Sequence, residues 1–294
     1  MALTFGVTAA ALADDDAARR FEAAGYDTFW APDHVGMPDP FAALVAAASA
    51  TSRMRVGTYV LNVEFWNPLL LARTAATTNL LSGGRLVLGL GAGHNEAEFV
   101  QGGLRYPPPR ERIDRLTAFV DTVPRLMAGE TVDDERLGLV GAATGLPPAR
   151  PTLLVGGNGD RVLHLAGRAA DMVGIVGFTS GTGRVHTNLS HWGWEGLTDR
   201  IGRAGASGVP GGPAADVLVQ RTAVTDDPGA ALADFADAGL SEEMFDSPFL
   251  LVGTEDELVA KLVRLEEAGV GGVTVFAHDA DGFAPVIARY RSTS

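Results

Sequence analysis

Asp33 and His34 stand side by side in the run Ala31-Pro32-Asp33-His34, where a carboxylate can orient an imidazole or hydrogen-bond a ring carbonyl. Imidazole titrates where proton transfer near neutral pH is efficient, so His34 is the candidate acid/base of the chain. The pair reads equally as a loop cap at Asp33 beside a packed histidine. Gly57-Thr58-Tyr59-Val60-Leu61-Asn62 and Gly89-Leu90-Gly91-Ala92-Gly93-His94-Asn95 offer a second kind of chemistry. Glycines such as Gly91 let a flat ligand approach the backbone, and Asn95 supplies both a donor and an acceptor. Gly156-Gly157-Asn158-Gly159 precedes a helix, with Arg161 just inside it. Exposed N–H groups at a helix start form an anion cradle suited to phosphate, although a Gly-Gly-x-Gly run is also an ordinary tight turn. Trp66, His94, Phe178, Trp192 and Trp194 are the candidate walls of an apolar substrate pocket, with Trp30 either joining them or filling the core.

These segments need a scaffold that brings them together. The chain alternates apolar strands and helical stretches about eight times. Strands are expected at 3–7, 28–31, 56–61, 86–90, 152–155, 172–176, 217–224 and 273–277. The runs are continuously apolar rather than alternating, as in a parallel sheet covered on both faces. Eight βα units make a closed barrel or a long open sheet. A dinucleotide-binding sheet would carry Gly-x-Gly-x-x-Gly after its first strand, and Gly6-Val7-Thr8-Ala9 does not. In a barrel, all the segments named above fall at the C-terminal ends of strands, where ligands bind. Two stretches interrupt the regularity: 129–150, between the fourth unit and strand five, and 178–213 after strand six. The second lies at the mouth and is expected to act as a substrate lid, the alternative being a packing insertion.

The 294 residues suit one α/β barrel domain over 1–294. With no cysteine, disulfides, thiolate metal sites and cysteine nucleophiles are excluded, and no metal site is expected. A formal net charge of −13 argues against nucleic acid, which demands a basic stripe. No apolar stretch is long enough to span a membrane and the N-terminus lacks signal-peptide features, so a cytoplasmic location is expected. Lys261 is the only lysine, and the Arg- and Ala-rich usage suits a high-GC bacterial genome.

Taken together, four segments resemble the luciferase-like monooxygenase superfamily, especially its deazaflavin (coenzyme F420)-dependent oxidoreductases. They are Asp27-Thr28-Phe29-Trp30-Ala31-Pro32-Asp33-His34; Gly57-Thr58-Tyr59-Val60-Leu61; Leu81-Ser82-Gly83-Gly84-Arg85-Leu86-Val87-Leu88-Gly89-Leu90-Gly91; and Leu154-Val155-Gly156-Gly157-Asn158-Gly159 with Ala166-Gly167-Arg168-Ala169-Ala170-Asp171. The resemblance implies a (β/α)8 TIM barrel with insertions after strands 4 and 6. It implies His34 beside the reactive carbon of F420, and Asp33, Thr58, Tyr59, Val60, Asn62, Gly91 and Asn95 around the ring, with a non-prolyl cis peptide at Tyr59-Val60. It places the phosphate on Gly156, Gly157, Asn158, Gly159 and Arg161. The sugar-phosphate branch is not expected, because its phosphate-holding lysines have no counterpart: Lys261 falls in a helix. The expected activity is hydride transfer between F420 and a small organic substrate, with reduction of C=C or C=N as the class. FMN with a two-component monooxygenase activity is the alternative, and an inactive flavin-binding barrel the second. By family analogy the chain forms a homodimer.

Overall fold

Apolar runs that must hide both faces have few options, and here they take the closed one. The computed structural model describes residues 2–9, 15–177, 179–181, 184–186, 191–206, 211–233 and 245–293. The barrel strands are β1 (Thr4–Thr8), β2 (Thr28–Ala31), β3 (Arg55–Thr58, resuming at Leu61–Asn62), β4 (Leu86–Gly91), β5 (Thr152–Gly156), β6 (Met172–Val176), β7 (Ala214–Leu218) and β8 (Val270–Phe276). Every barrel pairing is parallel, in the order β3-β2-β1-β8-β7-β6-β5-β4, and β3 returns to β4 through Val56↔Leu86 and Gly57↔Val87. The eight strands therefore close, as the sequence led us to expect.

The helices are α1 (Asp15–Ala23), α2 (Pro40–Ala50), α3 (Pro68–Leu81), α4 (Glu96–Gln101), α5 (Pro109–Met127), α6 (Asp160–Ala169), α7 (Trp194–Gly205), α8 (Pro228–Ala231), α9 (Glu255–Glu267) and α10 (Ala277–Thr293). The larger core lies between this helical layer and the outer face of the barrel. Several helices begin just past a strand end with a built stop. Asp39 caps α2, accepting from Ala42 N at 2.9 Å, and Asn67 caps α3, each followed by proline. Such caps satisfy first-turn N–H groups and fix where each chain leaves the mouth.

Inside the barrel, Trp30, Tyr59, Val87, Leu154 and Met172 form a second, smaller core. The Trp30 indole needs room that only glycine gives: a Cβ on Gly6 would sit 2.3 Å from its Nε1, and one on Gly57 2.5 Å from its six-membered ring. Asp216 on β7 also faces inward, 2% exposed, accepting at its carboxylate from Thr274 Oγ1 (2.7 Å) and at its carbonyl from Tyr59 OH (3.2 Å).

Three expectations are revised. The stretch 217–224 is two strands: Val219 N still bonds Thr274 O, but Gln220 N turns to Phe249 O, and Arg221–Val224 leaves the barrel to pair with Leu250–Gly253. The stretch 129–150 carries a hairpin, Val132–Asp134 against Leu139–Ala142. Because it leaves α5 and enters β5, it lies at the end opposite the mouth; the mouth-side insertion after β4 is 92–108, with α4. Within 178–213, Thr179–Gly181 pairs with Arg184–His186, Phe178 lies outside the described residues, and Trp194–Gly205 is the sixth barrel helix, packed on α6. Its three glycines masked a regular buried face of Leu197, Arg200 and Ala204.

Burial pushes the Asp216 carboxyl up to about 6, against the Thr274 hydrogen bond, the nearby Tyr59 hydroxyl and the Arg55 charge. A folded pKa above the unfolded one contributes stability below the unfolded value, near 4, that is lost as pH rises through 6. Asp216→Asn keeps an acceptor for Thr274 and cannot ionise. Denaturant unfolding should show its advantage over the unchanged protein growing by about 2–3 kcal/mol from pH 4 to pH 7.5; a difference flat in pH would contradict the buried-carboxylate argument.

Candidate active site

β2 ends at Ala31, and two residues later the chain presents Asp33 and His34 to the mouth. β4 ends at Gly91 and leads into α4, whose cap is Asn95 (Oδ1 accepting from Ala97 N, 3.2 Å). The third residue of that helix is Glu98. Its Oε1 lies 2.7 Å from His34 Nδ1 and also accepts from Asn95 Nδ2 at 2.9 Å. Phe99, fully buried against Phe65 and Tyr106, anchors the helix that carries it. Glu98 is 8% exposed, so its carboxylate is shielded from water and strongly directional toward the imidazole. With Nδ1 committed to that carboxylate, Nε2 is the ring nitrogen left to exchange a proton. His94 stands edge-on to His34, ring centres 6.2 Å apart. Crowding by the surrounding protein, then the charges of His34 and Arg112, hold His94 below its ordinary range, with Glu98 opposing.

Asp33 serves a neighbouring purpose. Its Oδ2 accepts from Asn62 N (3.1 Å) and Trp66 Nε1 (2.9 Å), tying the exit of β2 to that of β3. Burial raises its pKa despite those bonds and the nearby His34. Trp66 packs edge-on against Phe41 at 5.3 Å, and Asn62 caps the turn Val63–Phe65. These three residues frame the mouth.

The floor comes from β3. The Tyr59-Val60 peptide is cis, as the family resemblance implied. The Tyr59 ring turns down onto Trp30, centroids 5.0 Å apart, while Val60 is half-buried at the mouth. A Cβ on Gly91 would lie 2.5 Å from one Val60 methyl, one on Gly156 2.8 Å from the other, and one on Gly89 2.0 Å from the Thr58 carbonyl. Glycines on β4 and β5 thus clear the space in which Val60 forms an apolar shelf. Thr58 is fully buried, its Oγ1 bridging Gly89 N (2.8 Å) and O (2.9 Å), so its side chain belongs to the wall and not to a ligand.

Beyond the shelf, β5 runs into the turn 156–159. Gly157 has φ +153°, and a Cβ there would meet Val162 at 2.9 Å. Its N–H donates to Gly174 O, so it is not a phosphate donor; Asn158 is likewise turned inward, onto Val176 O at 2.9 Å. The available amides belong to the first turn of α6, whose cap, Gly159, has open space around it and provides no side-chain acceptor. A cleft of about 640 Å³ opens beside them, lined by Arg110, Ile113, Asp114 and Arg161, with Arg161 paired to Asp114. An apolar shelf, a proton-exchanging histidine and an uncapped helix start with arginines fit a planar ring cofactor bearing a phosphate.

The model of the luciferase-like monooxygenase family matches residues 14–272. The chain belongs to that family. Among relatives, F420-dependent glucose-6-phosphate dehydrogenase of Amycolatopsis mediterranei is 33% identical over 176 residues, 56% of this chain and 52% of that protein. The chain thus spans about half the length of that relative. The enzyme of the same name from Segniliparus rotundus is 30% identical over 257 residues, 83% of this chain and 72% of that one. A solved F420-dependent secondary alcohol dehydrogenase superposes with a TM-score of 0.80 at 20% identity, over 99% of this chain and 100% of its own, which supports the family's barrel fold. Among the described residues no helix is long and apolar enough to cross a membrane, and no cluster of His, Asp or Glu could hold a metal.

The structure redistributes the remaining candidates. Trp192 is 2% exposed and stacked on Phe249, so it is core and not pocket wall. Trp194 opens α7, its indole N–H on Asp246 and its face under Arg264. Glu98, which in sequence alone reads as a surface carboxylate or at most a spare acid/base beside His94 and Glu96, is buried against His34. Its signal was present in Asn95-x-x-Glu98, the spacing of a cap residue and the third helical position, which places the glutamate back over the cap. Since a carboxylate only accepts, neutral His34 should carry its proton on Nδ1. Nitrogen–proton NMR correlation of the imidazole should show that tautomer, and Glu98→Ala should abolish its dominance; an unchanged spectrum would contradict the pairing.

Proposed function

We propose that the mouth binds coenzyme F420 and that the protein transfers a hydride between this deazaflavin and a small organic substrate. The observation that carries the proposal is the His34–Glu98 pair, 2.7 Å apart at the lip of the Val60 shelf. When bound, the deazaflavin supplies a carbon that accepts or donates an electron pair with its hydrogen. Val60 and the glycines around it would receive the ring, and the first-turn amides of α6, with Arg161, the phosphate.

The residues themselves handle the proton. His34 Nε2 donates to or accepts from the substrate atom that gains or loses charge, while Glu98 stabilises the imidazolium and fixes the ring's tilt. Asn95 holds the same carboxylate oxygen, so the pair has one geometry rather than several. Positioning of this kind lowers the entropic part of the barrier without new chemistry. Reduction of a C=C or C=N bond matches one hydride and one proton delivered from opposite partners. Lys261, half-sealed on α9 beside Asp246, is no anchor at the mouth for a sugar phosphate. A cytoplasmic enzyme, homodimeric by analogy with the family, suits this reading.

A second reading keeps the same site with reduced FMN and oxygen, since the phosphate-bearing ring and the family's monooxygenases are compatible with the same shelf and helix start. The barrel that binds flavin without catalysis is disfavoured by the buried glutamate on His34, which a passive binder does not require. Fluorescence titration should show tighter binding of F420 than of FMN; micromolar FMN affinity with no F420 response would move the protein to the monooxygenase reading. His34→Ala should lower turnover by about 10²–10⁴-fold with cofactor affinity changed far less. Normal turnover in that variant would remove His34 from the chemistry.

A further inference from the structure

Arg200 on α7 is 1% exposed, and among the described residues no carboxylate lies within ion-pair distance of it. Its partners are neutral: Nε donates to Gly196 O (2.8 Å), Nη1 to Asn158 Oδ1 (2.7 Å) and Val176 O (2.9 Å), Nη2 to His191 O, and the guanidinium lies over the Phe249 ring. Arg203, one turn further along the same helix, is exposed and paired with both Asp160 and Asp199. The chain thus spends its carboxylates on the exposed arginine and buries the other one with dipoles alone. Burial pulls the Arg200 guanidinium down to about 10, outweighing the opposing charge of Asp199, which pairs with Arg203. A buried cation is normally matched by an anion, because oxygen dipoles replace only part of its lost hydration.

The place where an anion would complete the balance is next to its best hydrogen bond. Asn158 is flanked by Gly157 and Gly159, the turn that delivers the chain to the uncapped start of α6. Asn158 accepts from Arg200 at Oδ1 and donates to Val176 O through Nδ2, so it is oriented from both sides. We infer that Arg200 is the buried counter-charge of the phosphate held at the start of α6, acting as a positioning residue through Asn158. The same guanidinium holds the carbonyls of Val176 and His191, so it joins the phosphate turn to the chain leaving β6. This role rests on the mouth taking a phosphate-bearing ring cofactor, and holds for F420 and FMN alike.

Arg200→Met keeps the length of the side chain and removes the charge; Arg200→Lys keeps the charge and loses the fork. Each full-length variant is titrated with F420, FMN and phosphate-free riboflavin, and its melting temperature is read with and without inorganic phosphate. Arg200→Met should bind the phosphate-bearing rings about 10-fold more weakly, the scale of losing an outer-shell partner. It should also lose the phosphate-dependent rise in melting temperature and keep its riboflavin affinity, whatever its own melting temperature without phosphate. Arg200→Lys should recover most of the phosphate response. Equal weakening for riboflavin and FMN, a full phosphate response in the Met variant, or a Lys variant matching Met would each overturn the role. If neither F420 nor FMN binds the unchanged protein, the functional reading fails while the inorganic-phosphate arm still decides on Arg200; absence of that response in the unchanged protein overturns it. Should Arg200→Met fail to fold, Asn158→Ala cuts the same link and must show the same split between phosphate-bearing and phosphate-free ligands.

Discussion

An eight-stranded barrel cannot leave its axis empty, and the filling of that axis decides everything above it. Trp30 and Tyr59 occupy the interior together, with Gly6 and Gly57 giving way to the indole. Because Tyr59 points down, Val60 faces the mouth, and the glycines of β4 and β5 give it room. The shelf is therefore the upper surface of the core. Packing at organic-crystal density below it makes the shelf rigid, which a proton donor at a fixed height above it requires.

Charge is distributed unevenly over a chain that is acidic as a whole. On the β2–β4 side, the carboxyls of Asp33 and Glu98 are bound into a small network with His34, Asn62, Trp66 and Asn95. Around the starts of α5 and α6 the arginines gather: Arg110 and Arg161 at the cleft, and Arg112 and Arg115 behind it. Glu64 sits among them, held above the usual carboxylate range by burial although Arg115, Arg112 and Arg105 pull it down. Carboxyls and an imidazole thus gather on one half of the mouth and arginines on the other, and low-dielectric walls keep the two fields from averaging out.

Much of this was legible in the sequence because the strands are apolar on both faces. Seven of the eight barrel strands overlap the continuous hydrophobic runs closely, while the seventh, Ala214–Leu218, starts earlier than its expected 217–224 and shares only its last two residues with it. What was lost follows from local signals that packing overrides. The glycines of α7 concealed a helix whose stability comes from α6 and the core, and the short pairing of 221–224 with 250–253 has no distinctive pattern. Side-chain direction was the larger blind spot. Thr58, Tyr59 and Trp192 lie at the right places in the chain but turn into the wall or core, and the Gly157 amide is spent on Gly174. Glu98 was undervalued for the opposite reason: a glutamate in an acidic loop reads as solvated, although the histidine after β2, 64 residues earlier, covers it.

The sharing of residues between floor and core also constrains how such a protein can diversify. Any substitution that reshapes the pocket at Val60, Gly91 or Gly156 changes the packing directly around it, so drift there is filtered by stability before selection on activity can act. The rim has no such coupling: Val35 and Met37 after β2 and Leu104 after α4 are exposed, and their replacement disturbs little below. Descendants of this chain are therefore expected to keep this floor nearly unchanged, with novelty accumulating in the loops of the rim.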